Sequence, residues 1–148
     1  MLEVKFAKTK KVKTPTRGTE RSSGIDFYVP DAFESVVLNP GEHILIPAGI
    51  KVSLPRGWAL VAMNKSGVCT KKGLTVGACL IDEDYQGEIH IHLINSSTNS
   101  TVIAAGEKIV QFVLKQNPDF FLSETSVNLL YEEETSRGEG GFGSTGSK

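Results

Sequence analysis

In the stretch GEIHIHLIN, residues 87–95, Ile89, Ile91 and Leu93 alternate with His90, His92 and Ile94. A period of two places the two sets on opposite faces of a strand. Related patterns recur along the chain. EHILIPAGIKVSL (42–54) holds two β-branched runs broken at Pro47-Ala48-Gly49, which predicts two strands joined by a turn. WALVAMN (58–64) and KIVQFVLK (108–115) predict two more, and Leu2, Val4 and Phe6 predict a strand near the start. Turn signals fall at short intervals: Asn39-Pro40-Gly41, Pro55-Arg56-Gly57, Gln86-Gly87, Asn95 to Ser97, Ala105-Gly106 and Asn117-Pro118. A helical period is nowhere sustained; at most a short helix fits near Thr70 to Lys72 or Glu124 to Val127. Many short strands at regular spacing predict an all-β sandwich or barrel. Apolar residues run out near Glu132, so the pattern divides the chain into a β body, 1–131, and a flexible glycine-rich arm, 132–148.

Composition changes this picture mainly by exclusion. The 148 residues fit one domain, and 39% apolar with 22% charged residues is an ordinary globular balance. With a net charge of −1 there is no basic field to draw nucleic acid or an anionic membrane, and neither is expected as a partner. Lys8, Lys10, Lys11 and Lys13 read as a solvated surface stretch. No run approaches the ~20 apolar residues of a membrane span, and MLEVKFAKTKK lacks a signal-peptide core, so a cytoplasmic protein is expected. Cys69 and Cys79, ten positions apart, lie outside a CxxC spacing and read as free thiols.

Five segments carry candidate chemistry. The arm contains RGEGGFGSTG, residues 137–146. Its glycines permit close backbone approach to a ligand, and Ser144 and Thr145 add hydroxyl donors. Arg137 adds a planar fork suited to phosphate, and Phe142 offers a face on which a base can stack. A lid over a nucleoside polyphosphate and a plain solubilising tail both fit these parts. In VGACLIDEDYQGEI (76–89) the carboxylates Asp82, Glu83 and Asp84 fall at the expected tip of a β-hairpin, as an acidic turn cap, a water-orienting base or a metal site. Lys65, Ser66 and Gly67 combine a cation, a hydroxyl and a permissive backbone after a strand, without the spacing of a P-loop. Asp26, in SSGIDFYVP, reads either as a strand-end cap or as a functional carboxylate. Gln111, inside an apolar strand, must find hydrogen bonds, either between strands or to a ligand.

Taken in order, SGIDF, KSG, LIDEDYQGEI, GEKIVQFV and RGEGGFGSTG resemble the five motifs of the homotrimeric dUTP pyrophosphatases, from about residue 20 to 146. The resemblance implies a distorted β jelly roll of the dUTPase-like β-clip type, assembled as a homotrimer with three shared sites. It implies hydrolysis of dUTP to dUMP and pyrophosphate, which limits uracil in DNA and supplies dUMP for thymidylate. On this resemblance Asp82 holds the water that attacks the α-phosphorus. Mg²⁺ neutralises the triphosphate, and Asp26 reaches that metal through water. Lys65, Ser66, Gly67 and Gln111 lie along the phosphates. Arg137, Gly143, Ser144 and Thr145 hold the β and γ phosphates, and Phe142 covers the uracil. Cys79, Leu80 and Ile81 offer backbone groups to the uracil edge, with His90 across from them, and Tyr85 lies beneath the deoxyribose. Three positions depart from the family pattern: Lys65 and Lys108 stand where arginine is usual, and Cys79 where glycine is common. Competing readings are a dCTP deaminase of the same fold, a catalytically silent nucleotide sensor, and a cupin-like metal barrel built on His90 and His92. On the last, His92 reads instead as a surface or inter-subunit residue. A virus-encoded enzyme acting in host cytosol is equally consistent.

Overall fold

The computed structural model describes residues 2–144 and 146. Thr145 therefore lies outside the described residues. Those up to Pro118 form one compact unit and those from Asp119 a second, so the expected arm falls wholly within the second.

The first unit is built almost entirely from short antiparallel strands. In chain order they are β1 (Lys5–Lys8), β2 (Thr16–Arg17), β3 (Gly24–Tyr28), β4 (Val36–Leu38), β5 (His43–Pro47), β6 (Ile50–Ser53) and β7 (Trp58–Met63). A helix, α1 (Ser66–Lys72), precedes β8 (Leu74–Val76), β9 (Leu80–Ile81), β10 (His90–Asn95), β11 (Thr101–Ile103) and β12 (Lys108–Gln116). The largest sheet has the order β2-β3-β12-β7-β9, and β5-β10-β8 forms a second; β1 pairs with β6, and β4 with β11. This is the all-β architecture that the alternation predicts. No helix among the described residues is long and apolar enough to cross a membrane.

The period of two in β10 holds: Ile91 and Leu93 are buried while His90 is exposed. Behind them the core closes around Phe27 and Phe112, whose rings tilt at 53° with centroids 4.6 Å apart. Turn chemistry holds too, since Gly41, Gly49, Gly57 and Gly106 all adopt positive φ where the sequence signals a turn.

Two expectations are corrected. The acidic segment is not a hairpin tip: β9 pairs with β7, and β10 with β5 and β8, so residues 82–89 cross between two sheets. Two strands flanking a short turn pair with each other only if their buried faces belong to one sheet, and here they do not. The helix starts at Ser66, earlier than expected, and runs to a left-handed Gly73, so Lys65 is its extended N-cap and Ser66-Gly67 open its first turn. The strand expected near the start is β1; Phe6 is 46% exposed and no residue of the strand is buried, since among the described residues β1 pairs with β6 alone.

One irregularity matters for the site. Between Lys108 and Val110 the register of β12 on β3 slips, leaving Ile109 as an extra residue in a bulge. Ile109 and Val110 are consequently both buried. The slip also brings Lys108 and Gln111, three positions apart, to the side of the sheet occupied by Asp26.

Candidate active site

A cleft of about 210 Å³ opens between the two larger sheets. Its wall is the segment Ala78–Asp82, and Tyr85 and His90 complete the polar lining. Residues 79–82, 85 and 90, singled out on sequence, thus converge on one concave surface. Leu45 and Phe112 also line it and were missed, because apolar strand residues read as core and carry no chemical signal.

The three neighbouring carboxylates are sorted by the fold. Glu83 accepts the Gly57 N–H through Oε2 and so closes the preceding turn. Asp84 is exposed and does not line the cleft. Only Asp82 lines it, and its carbonyl accepts the Tyr85 N–H at 3.2 Å in a tight turn. The Tyr85 hydroxyl donates to the Glu88 carbonyl at 2.9 Å, and His90 Nδ1 lies 2.9 Å from that same oxygen. One carbonyl therefore orients both rings.

Glu88 was not foreseen, since its partners are remote in sequence. Its carboxylate accepts the Gly49 N–H at 2.7 Å and the Thr9 hydroxyl at 3.0 Å, and pairs with Lys10 at 3.3 Å. Burial pushes its pKa up, but the Thr9, Gly49 and Lys10 contacts outweigh it, and the net result lies below the usual 4.5. A depressed folded-state pKa adds stability above the unfolded value and forfeits it as pH falls through the folded one. The melting temperature of the wild type should therefore exceed that of Glu88→Gln at neutral pH. The gap should close as pH drops below about 4.5, read by thermal melts from pH 7 to 3. A gap that persists at the acid end would remove this role.

A second polar group gathers around Asp26. This carboxylate is 5% exposed; Lys65 Nζ binds its Oδ1, and Lys108 Nζ lies 3.2 Å from Oδ2. Two ammonium groups on one carboxylate leave a surplus positive charge, the balance suited to a polyanion. Ser66 and Gly67 follow Lys65 and are exposed, and a Cβ on Gly67 would meet nothing within 4 Å. Gln111 opposes Asp26 in the β ladder, donates to the Asn64 carbonyl at 2.8 Å, and lies so close over Gly24 that a Cβ there would come 2.2 Å from its Oε1. Among the described residues no group of three His, Cys, Asp or Glu side chains is arranged to cage a metal. Cys69 and Cys79 are free thiols.

These two groups do not meet within one chain. Phe112 lines the cleft, while Gln111, its neighbour on β12, lies on the side of Asp26. Successive strand residues face opposite sides of a sheet, so the cleft and the cationic group are separated by the sheet itself.

In the second unit the arm folds into successive tight turns. Gly138 N–H donates to Thr135 O at 3.0 Å, Gly140 N–H to Arg137 O at 2.9 Å, and Ser144 N–H to Gly141 O at 3.0 Å. Arg137 Nε donates to the Gly140 carbonyl at 2.9 Å. Phe142 has φ +50°, a left-handed conformation unusual for an aromatic residue, and its ring is fully exposed; Gly143 follows at φ +95°.

The all-β fold, the small cleft with one carboxylate and two rings, and the separate cationic group together define a protein built to hold a small anionic ligand. The chain belongs to the dUTPase family, whose family model matches residues 10–146. It is similar to the deoxyuridine 5′-triphosphate nucleotidohydrolase of Wolbachia pipientis subsp. Culex pipiens (strain wPip), with 37% identity over 144 residues, 96% of this chain and 92% of that one. The Candida albicans protein of the same name is 36% identical over 141 residues, 95% of this chain and 86% of that one. Among solved structures, the Staphylococcus bacteriophage 80alpha dUTPase with dUPNHPP superposes with a TM-score of 0.85 at 26% identity, covering 98% of this chain and 99% of that one.

Proposed function

We propose that this chain is a dUTP diphosphatase that hydrolyses dUTP to dUMP and pyrophosphate within a homotrimer whose sites are shared between subunits. One observation carries the reading: of three adjacent carboxylates only Asp82 lines the cleft, beside two rings oriented by a single carbonyl. The opposed faces of cleft and cationic group support shared sites, because a nucleoside in one subunit's cleft needs phosphate ligands from another.

In the proposed complex uracil enters the cleft against the backbone of Cys79, Leu80 and Ile81, with His90 across it. Cytosine exchanges a donor for an acceptor and would leave buried groups unpaired, at about 1–3 kcal/mol each. Thymine adds a methyl to a cleft of about 210 Å³. Tyr85, held by the Glu88 carbonyl, lies under the deoxyribose and leaves no room for a 2′-hydroxyl. Lys65, Ser66, Gly67 and Gln111 of a neighbouring subunit lie along the phosphates. Arg137, Gly143, Ser144 and Thr145 of an arm close over the β and γ groups, with Phe142 stacked on the base.

Asp82 accepts a hydrogen bond from the attacking water and directs its lone pair at the α-phosphorus, the role of a positioned general base. As the water oxygen bonds the α-phosphorus and its proton passes to Asp82, the bond between that phosphorus and the α,β-bridging oxygen breaks, and pyrophosphate leaves against the cationic groups. Mg²⁺, the cofactor of this reading, would shield the triphosphate charge and fix its conformation when bound. The donor set fits a metal held by phosphates and water rather than by a protein cage: each Asp26 oxygen carries an ammonium, yet a carboxylate oxygen can accept from a metal-bound water as well. The cytoplasm, a host's if the enzyme is virus-encoded, is the proposed place of action.

The test is Mg²⁺-dependent pyrophosphate release from dUTP, dTTP, dCTP and UTP, with the mass of the particle measured in solution. Release from dUTP at about 10⁴-fold or more over dCTP, from a three-chain particle, is expected. Ammonia release from dCTP would make it a deaminase, and dUTP binding without turnover a sensor. Lys65→Arg is expected to retain or raise the rate, since a guanidinium can hold Asp26 and phosphate with a planar fork. A loss above tenfold would mean that the pocket around Asp26 is built for an ammonium.

A further inference from the structure

We infer that His92 is a positioning residue for the base-binding wall of the cleft, an assignment that rests on the dUTP reading above. His92 lies half-buried in β10, between Ile91 and Leu93, and does not line the cleft. Its ring instead meets the strand that becomes the wall. The Ala78 N–H donates to His92 Nδ1 at 2.8 Å, and the Gly77 N–H donates to the His92 carbonyl at 3.0 Å. A Cβ on Gly77 would come 2.2 Å from Nδ1, so the imidazole packs directly on that glycine and no other residue fits there without displacing it.

Two contacts fix the state of the ring. Because Nδ1 accepts from a backbone amide, the proton is on Nε2, and that Nε2 lies 3.0 Å from His43 Nδ1 on the adjacent β5. The two imidazoles stand edge to face, centroids 5.1 Å apart. His43 accepts, and holds His92 in the tautomer that Ala78 requires.

The position of this bond gives it its effect. The β8–β10 ladder runs only as far as Val76 opposite Leu93. Beyond it the chain must leave β10 and cross to β7, where the Cys79 carbonyl accepts the Ala62 N–H at 2.7 Å and β9 begins. His92 extends the ladder at the last point before the crossing, with a side chain in the place of a backbone partner. Ala78, tethered there, is the first residue of the wall, and the backbone proposed to meet uracil follows at once.

Two variants of similar size separate this from a general packing role. Asn at position 92 carries its oxygen where Nδ1 stands, and Gln carries its oxygen nearer the site of Nε2. We would measure kcat and KM for dUTP, the Kd of dUMP by calorimetry, and hydrogen exchange at the Ala78 amide. His92→Asn should stay within about threefold of wild type throughout. His92→Gln should raise KM and the dUMP Kd about tenfold, the scale of one lost hydrogen bond, speed Ala78 exchange by a similar factor, and leave kcat within about threefold. Equal KM values in the wild type and the Gln variant, or equal losses in both variants, would overturn the inference alone. A wild type inactive on dUTP would overturn the dUTP reading and take this assignment with it.

Discussion

Asp82→Asn should lower kcat for dUTP by about 10²–10⁴-fold, the range a positioned base contributes, while KM stays within a few-fold and the protein remains folded. The asparagine keeps the shape of the carboxylate and the Asp82–Tyr85 turn, which uses the backbone carbonyl rather than the side chain. What it removes is the negative acceptor that orders and polarises the attacking water. Because Asp82 is exposed at the cleft edge and the fold does not use its side chain, thermal stability should not fall. Glu83→Gln is the informative control, since Glu83 binds the Gly57 turn and lines no part of the cleft. If Asp82→Asn turns over dUTP at the wild-type rate, the water is held elsewhere and the site assignment falls.

That control exists only because the structure divides a run of acids that the sequence presents as equivalent. Asp82, Glu83 and Asp84 differ in role through where the chain goes after β9, and that depends on pairing with β7, whose residues precede it by about twenty positions. What was legible lay within short windows. The alternation of β10 and the positive-φ turn glycines need only local rules, whereas the gathering of Leu80, Ile81, Asp82, Tyr85 and His90 was legible only through the family resemblance, since the hairpin that the local pattern suggests does not form. The cationic group was legible only in pieces. Lys65, Lys108 and Asp26 come from three distant segments, and the bulge at Ile109 puts Lys108 and Gln111 on one face. A one-residue slip in register leaves no mark in composition or periodicity, because Ile109 and Val110 are apolar in either phase. Glu88 escaped notice, and His92 was read only as a surface, inter-subunit or metal-binding residue, for a similar reason: each acts on a backbone amide far away in sequence, Gly49 and Ala78 respectively.

The arm supplies the second large effect. A chain ending at Ser136 should lose at least about 10²-fold in kcat/KM for dUTP, the scale of losing even one preorganised donor to developing charge, with no fall in melting temperature. The stability half follows from exposure. Phe142 is fully exposed, and among the described residues the turns from Thr135 onward are closed by hydrogen bonds within the arm. The activity half follows from strain and display: a left-handed phenylalanine held in water, next to a glycine at φ +95°, is a costly conformation unless a ligand repays it. Mixing resolves whose ligand that is. Truncated chains retain Asp82, and Asp82→Asn chains retain the arm, so co-refolded mixtures should regain turnover that neither parent has if arm and carboxylate at one site come from different subunits. Mixtures as inactive as their parents would mean that each chain closes its own cleft, and a truncated chain cleaving dUTP at full speed would remove the arm from the mechanism altogether.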